Sequence, residues 1–214
     1  MSQLEQRVRA VLGPHPEIEK CVRLGLVNRR ALARHLVRQG VAEAGQIEAV
    51  VATLRRMDLG AESAGASRVF PEVRIGLKDR ILILDFEKER ALLQRLERLI
   101  PLIDYDRGDT LKIVVGTESL KLIIDQRREK AVRGLFERFR VRHRLEGISE
   151  ISMMFPTTAV DTPGILAVLG REFLVRDVTV AELLTASPEM LIYLQDPYVP
   201  RAYEAVRGLQ GLSL

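Results

Sequence analysis

The chain is poor in the residues that most often announce chemistry. Among its 214 residues there is one cysteine, Cys21, no tryptophan, and only 5 % aromatics. A single cysteine excludes an intramolecular disulfide and a cysteine metal cluster, and Cys21 reads as a small core residue. The histidines, His15, His35 and His143, are far apart, and none has a second histidine or cysteine three or four residues away. Surface or interface roles are expected for them, and no metal. There is no Walker loop and no GxGxxG, so no nucleotide cofactor is expected. No apolar run approaches the roughly 18 residues of a membrane span, and the N-terminal MSQLEQRVRAVLG lacks the apolar stretch of a secretion signal. These absences predict a cytoplasmic protein with no membrane partner and no cofactor, and not an enzyme, because no catalytic constellation is visible.

What is present is aliphatic and charged. Apolar residues make up 47 % of the chain, enough for cores built of Leu, Val and Ile. The net charge of +4 is uneven. Residues 1–68 carry 11 Lys/Arg against 7 Asp/Glu, residues 69–146 carry 18 against 14, and residues 147–214 carry 4 against 8. A basic body with an acidic end suggests separate tasks, although a thinly spread excess on solvated faces accounts for the same numbers.

Residues 2–57 read as helices at roughly Ser2–Leu12, Pro16–Leu24, Arg29–Gln39 and Glu43–Met57. Asn28 is an N-cap for the third, with Val27 and Leu32 placed as a hydrophobic staple. Gly40 is placed to end it in a left-handed conformation. The small, glycine-containing stretch from Asp58 reads as a linker over 58–68. Strands follow. Val73–Phe86 is one long or two short strands broken near Gly76–Asp79. Glu87–Ile100 reads as an amphipathic helix stopped by Pro101, and Thr110–Val115 with Leu120–Asp125 as a hairpin. A helix over Arg127–Phe139 and a strand over Arg140–Leu145 complete this part. The order then repeats: strand Ile148–Phe155, helix Thr162–Phe173, hairpin Val178–Leu184 with Met190–Leu194, helix Tyr198–Leu209.

Both hairpins lead into helices containing Ala-Val-Arg-Gly-Leu, at 131–135 and 205–209, and a self-similar element order is what duplication produces. Each unit reads β-α-β-β-α, the split arrangement of ferredoxin-like folds. Two such sheets can pair side by side or bury their open faces together. The expected class is therefore α+β: a helical domain over 1–57, a linker over 58–68, a degenerate unit over 69–146 and a second unit over 147–214.

Two charged patterns invite site readings. Asp104, Asp106 and Asp109 hint at a calcium loop, but its twelfth position is Val115, so a turn is the better reading. Arg138, Arg140, Arg142 and Arg144 alternate on one strand face. They suit an anion, or more simply a sheet edge guarded by charge.

The most specific signal is Asp161-Thr162-Pro163-Gly164-Ile165-Leu166, which opens an apolar helix. Asp161 is suited to capping it, and Pro163 to its first turn. Gly164 lets a backbone or ligand approach, and the helix start favours a carboxylate. An ordinary well-capped helix start has the same residues. In the order strand, loop, helix, hairpin, helix over most of 148–209, this stretch resembles the ACT domain, a small-molecule sensor attached to many enzymes and regulators of amino-acid metabolism. The layout resembles small, largely archaeal proteins predicted to regulate that metabolism. The resemblance implies an effector, an amino acid, held by residues 161–166, and a homo-oligomer, most simply a dimer. Asp177 departs from the family by standing where a glycine usually ends the first helix. Only Gln210–Leu214 remain for a closing strand, so a neighbouring strand is expected to complete the sheet. In the first unit Asp85–Arg90 replaces the loop, so that copy is expected to be structural.

Asn28–Met57 has the spacing of a helix-turn-helix. Arg29, Arg30, Arg34 and Arg38 on its first helix, with Arg55 and Arg56 at the end of the second, are the charges phosphate contacts need. Gln46 is the one residue there suited to reading a base. Glu43 and Glu48 at the second helix's start oppose phosphate. Three readings stay open: a metabolite-sensing regulator of transcription, a regulatory subunit docking on a biosynthetic enzyme, and a ligand-free dimerisation or assembly protein.

Overall fold

The computed structural model describes residues 2–57 and 64–211. It opens on four helices: α1 (Gln3–Leu12), α2 (Pro16–Arg23), α3 (Arg29–Arg38) and α4 (Ile47–Arg56). Their starts follow local capping chemistry. The Ser2 hydroxyl accepts the Glu5 N–H at 3.2 Å, and Asn28 Oδ1 accepts those of Arg30 and Ala31 at 3.0 and 3.2 Å. Gly40 ends α3 at φ +79°, the left-handed geometry that glycine adopts without strain. The helix expected from Glu43 begins instead as a 3-10 turn over Ala44–Gln46, closed by a capping box between Glu43 and Gln46. Leu12, Leu36, Val50 and Leu54 form the centre of this core, with Val27 and Leu32 against it. A short α5 (Ala64–Ser67) lies within the expected linker, whose residues 58–63 fall outside the described ones.

The remaining elements are β1 (Arg74–Glu87), α6 (Arg90–Leu93), β2 (Leu111–Val115), β3 (Ser119–Asp125), α7 (Glu129–Phe136), β4 (Val141–Met154), α8 (Ile165–Val175), β5 (Glu182–Ala186), β6 (Glu189–Gln195) and α9 (Val199–Leu209). All six strands join one antiparallel sheet in the order β2-β3-β1-β4-β6-β5. The long helix expected over Glu87–Ile100 is α6 followed by two 3-10 turns, Leu96–Arg98 and Ile100–Leu102. Leu93, Leu96, Leu99 and Leu102 repeat every three residues, the period of a 3-10 helix and not of an α-helix.

β1 and β4 are each continuous where the sequence suggested breaks. β1 runs through a register shift between Lys78 and Ile81, with Arg80 at φ +54°. β4 joins the two expected strands at Gly147, φ +61°. Each long strand serves both halves of the sheet. Ile81–Glu87 pairs with β3 while Val141–Leu145 lies on its other side. Ile148–Met154 pairs with β6 while Arg74–Lys78 lies on its other side. The strand expected to complete the second unit is thus Arg74–Lys78. Burial repeats with this exchange, since Ile81–Leu84 of β1 and Ile148–Ile151 of β4 are buried quartets at the same place in their strands.

The structure also corrects the register of the repeat. α7 starts four residues after β3 ends, and α9 starts four residues after β6 ends. Buried Val132 and Phe136 therefore correspond to buried Ala202 and Val206. The two Ala-Val-Arg-Gly-Leu segments are one helical turn out of step. The elements repeat, but the five-residue match is not the correspondence between them.

Two apolar clusters sandwich the sheet around β1. Leu82, Leu84, Phe86, Leu122 and Ile124 pack with Leu92, Leu99, Val132 and Phe136 of the helical layer. On the other face Ile81, Ile83 and Ile123 meet Ile148, Leu191 and Tyr193. That second cluster requires curling. In a flat sheet β3 and β5, four strand spacings apart, would stand about 19 Å from each other, yet Lys121 Nζ on β3 forms an ion pair with Glu182 on β5. The halves of the sheet thus lie side by side and also turn their open faces toward one another.

By compactness the chain divides into two units, Met1–Phe70 with Asp161–Asp177, and Pro71–Val160 with Val178–Leu214. This differs from the boundaries read from the sequence, where α8 and its preceding loop belonged to 147–214. They group with the N-terminal helices.

Candidate functional site

The loop carrying the Asp-x-Pro-Gly motif leads into α8, but not with the capping expected. The N-cap is Gly164, in the left-handed conformation at φ +86°, with no side chain capping the helix. Asp161 is exposed three residues earlier, Pro163 lies before the helix instead of in its first turn, and Thr162 and Ile165 are half-buried. Leu166 is exposed at 53 %. Gly164 thus brings no capping side chain to the main-chain N–H groups opening α8, and it has no Cβ to hinder approach to them. Anions favour such a helix start. At the other end Asp177 takes φ +50°, a left-handed turn that a short polar side chain tolerates.

α8 is tied to α2 by charge. Lys20 Nζ bonds both carboxylate oxygens of Glu172, at 3.1 and 3.3 Å, and Arg171 pairs with Glu19 at 3.4 Å. Arg176 also binds Glu172, at 2.5 Å. Burial works to raise the Glu172 carboxyl, and the hydrogen bonds from Arg176 and Lys20 overcome it, so the group sits below its ordinary range. Sequence reasoning missed these residues, because partners 152 positions apart carry no local signal.

The helix-turn-helix candidates all lie on the surface of the same unit. Arg29, Arg30, Arg34 and Arg38 are exposed on α3, and Arg55 and Arg56 at the end of α4. Arg30 is bound to Glu48 at 2.6 Å. Gln46 accepts the Glu43 N–H at 3.0 Å through Oε1, which leaves only its amide N–H groups for any base. Arg34 and Arg38 border a hollow of about 440 Å³ whose other walls are Ala31, Val37, Ala44 and Ile47. It is the apolar wall, more than the arginines, that gives this surface its shape.

The aspartates that suggested calcium are committed elsewhere. Asp104 caps a 3-10 turn, Tyr105–Arg107. Asp109 is held by Arg127 at 2.5 and 3.0 Å, by Arg128 at 2.5 Å and by the Asp104 N–H at 2.8 Å. Beside it Lys78 Nζ reaches Asp125 at 3.1 Å and the Thr110 hydroxyl at 2.6 Å. Burial alone would raise the Asp109 carboxyl. The backbone and arginine hydrogen bonds outweigh that and hold it at about 2. A carboxyl lowered on folding stabilises fully above its unfolded value, and this is lost as pH falls through its folded value. The melting temperature of Asp109→Asn should thus lie well below that of the parent at pH 6. The gap should shrink as the pH falls from about 4 toward 2. A pH-independent gap, read by circular dichroism, would assign the loss to packing and not to charge.

No family model matches the chain, and no curated protein matches it in sequence. Solved structures do match. The aspartate kinase of Clostridium acetobutylicum superposes with a TM-score of 0.51 at 12 % identity, over 63 % of this chain and 33 % of that one. The aspartokinase alpha and beta subunits give 0.50 at 10 %, over 65 % and 94 %. The fold is that of ACT-domain structures. The ligand-free regulatory subunit of aspartate kinase from Thermus thermophilus gives 0.48 at 12 %, over 64 % and 95 %. This chain spans about a third of the length of the clostridial enzyme. Among the described residues, no helix is long and apolar enough to cross a membrane.

Proposed function

We propose that the chain is a regulatory protein, not a catalyst, that senses a small metabolite, an amino acid, through the ACT fold. The sheet reads as two ferredoxin-like units that exchange their outer strands, with the effector held by Asp161–Leu166. The observation carrying this reading is the left-handed Gly164 at the start of α8, a helix joined through Glu19, Lys20, Arg171 and Glu172 to the N-terminal helices. A carboxylate bound at that start acts on a helix that is part of the output domain, so binding free energy is available to shift that domain between states. The description of the clostridial enzyme as allosteric and important in amino-acid production supports the choice of ligand class. In this reading the protein works as a dimer.

Two outputs suit the helical unit. The exposed arginines of α3 and α4 suit operator DNA. The apolar hollow between Arg34 and Arg38 favours the second, docking on a biosynthetic enzyme, since base readout needs few apolar walls and protein contact needs many.

The test is a thermal-shift screen against the twenty amino acids, repeated with Asp161→Ala and Gly164→Val. A ligand at a hundredfold its Kd stabilises by about 2.7 kcal/mol, worth roughly 5–10 °C at this size. One amino acid should give such a rise, reduced in Asp161→Ala and abolished in Gly164→Val. No rise with any of them would sink the amino-acid sensor and leave an assembly role.

A further inference from the structure

Residues 127–146 hold eight Lys/Arg against three Asp/Glu, a larger excess than the +4 of the whole chain. They form α7 and the first half of β4. Val141–Leu145 pairs with β1 on one side, but β6 meets β4 only from Ile148 onward. Among the described residues no strand covers the other edge of Val141–Leu145, and residues 141–144 are exposed. Such an edge offers main-chain donors and acceptors at strand spacing.

Side chains frame that edge. Arg140 pairs with Glu87 at 3.6 Å, and Arg144 holds Glu129 through contacts of 2.8 and 2.9 Å. Arg142, between them, makes no ion pair among the described residues. Hollows of about 660 and 620 Å³ flank the strand. The first is walled by Phe136, Phe139 and Val141, the second by Lys88, Arg142 and His143.

We propose that Val141–Leu145 is a docking edge for an extended acidic segment of a partner protein, which adds to β4 as a further strand. Its alternate carboxylates face the side of the strand where Lys88, Arg140, Arg142 and His143 line one hollow; a bulge between Val141 and His143 breaks the expected arginine row and turns Arg144 to the other side, against Glu129. Its apolar residues enter the hollow beside Phe139. Guarding the edge explains the charge alone, whereas docking also explains the hollows on either side. A second copy paired through the same edge is disfavoured, because arginines would face arginines. Nucleic acid is disfavoured because one of the two hollows is walled by Phe136, Phe139 and Val141, which suits the apolar side chains of an alternating strand and not a second run of phosphates. The proposal does not depend on the effector reading.

The experiment is fluorescence anisotropy of the full chain with four labelled probes: an alternating Glu-Val peptide, the Lys-Val counterpart, the Glu-Val peptide N-methylated at alternate residues, and a single-stranded oligonucleotide. The Glu-Val peptide should bind with a micromolar Kd. Arg142→Glu should weaken it at least tenfold with the melting temperature unchanged, while Arg142→Lys retains most of the affinity. N-methylation should cost about as much, because it removes main-chain donors. Equal binding of the methylated or Lys-Val peptide, tighter binding of the oligonucleotide, or no binding at all would each overturn the proposal.

Discussion

Replacing Phe173 with alanine is expected to destabilise the chain by about 3–5 kcal/mol, the usual cost of deleting a buried aromatic side chain, and to loosen the N-terminal helices. Phe173 is 4 % exposed on α8, on the buried face it shares with Val168 and Leu169. A helix in the position of α8, following the first strand of an ACT unit, would ordinarily be a layer on its own sheet. Here it forms one compact unit with residues 1–70, bonded to α2 through two ion pairs. Surface ion pairs are individually weak, but Glu172 accepts from both Lys20 and Arg176, so the link is a small network. Denaturant titration gives the free-energy loss, and amide exchange read by mass spectrometry places it. Protection should fall in α2 and α3 and persist in β2 and β3. Loss confined to the strands, with α2 still protected, would show that α8 serves the sheet and that the loop before it has no mechanical hold on the helices.

The features that sequence disclosed are those that one turn of chain decides. Asn28 caps α3 through its own Oδ1, and Gly40 takes the left-handed turn four residues after the last buried leucine of that helix. Asp177 follows the same logic, since a short polar side chain tolerates positive φ. Element type was legible wherever a period ran cleanly, as in both hairpins and in α9. It failed at Leu93–Leu102, where leucines three apart satisfy a 3-10 period and were read as an α-helix.

What sequence could not disclose is which element a segment joins. The acceptor of Lys20 is Glu172 and that of Lys121 is Glu182, pairs set by tertiary placement. Nor could it tell that β1 and β4 run on through Arg80 and Gly147. A charged or glycine residue amid apolar ones signals a strand end and a bulge equally well. The candidate effector loop illustrates the division. Its place before α8 followed from the Pro-Gly pair, whereas its capping did not. Asp161 has the chemistry of an N-cap, but the left-handed Gly164 puts the helix start three residues beyond it. The N-cap place that Asp161 was expected to fill is thus taken by a residue with no side chain.

Removing the Tyr193 hydroxyl is expected to cost about 2–3 kcal/mol, far more than a phenylalanine for tyrosine exchange in a solvated place. Tyr193 is fully buried on β6 and donates to Glu150 Oε2 at 2.6 Å, with Glu150 itself 8 % exposed. Burial, then the bond to the carboxylate, pushes the phenol well above its ordinary range, so it stays a donor at every pH at which the fold survives. Both groups face the inner side of the curled sheet, where Ile81, Ile148 and Leu191 leave little water to replace a lost partner. Tyr193→Phe strands the carboxylate without its donor, the expensive way to break a buried hydrogen bond. Taking both groups away should cost less than stranding one. Tyr193→Phe with Glu150→Met is therefore expected to be more stable than Tyr193→Phe alone, a coupling that a double-mutant cycle in urea measures directly. Strict additivity would mean that the hydroxyl and the carboxylate do not hold one another. The curl would then rest on the apolar cluster and the Lys121–Glu182 pair, and loss of Lys121 should destabilise it more than loss of Tyr193.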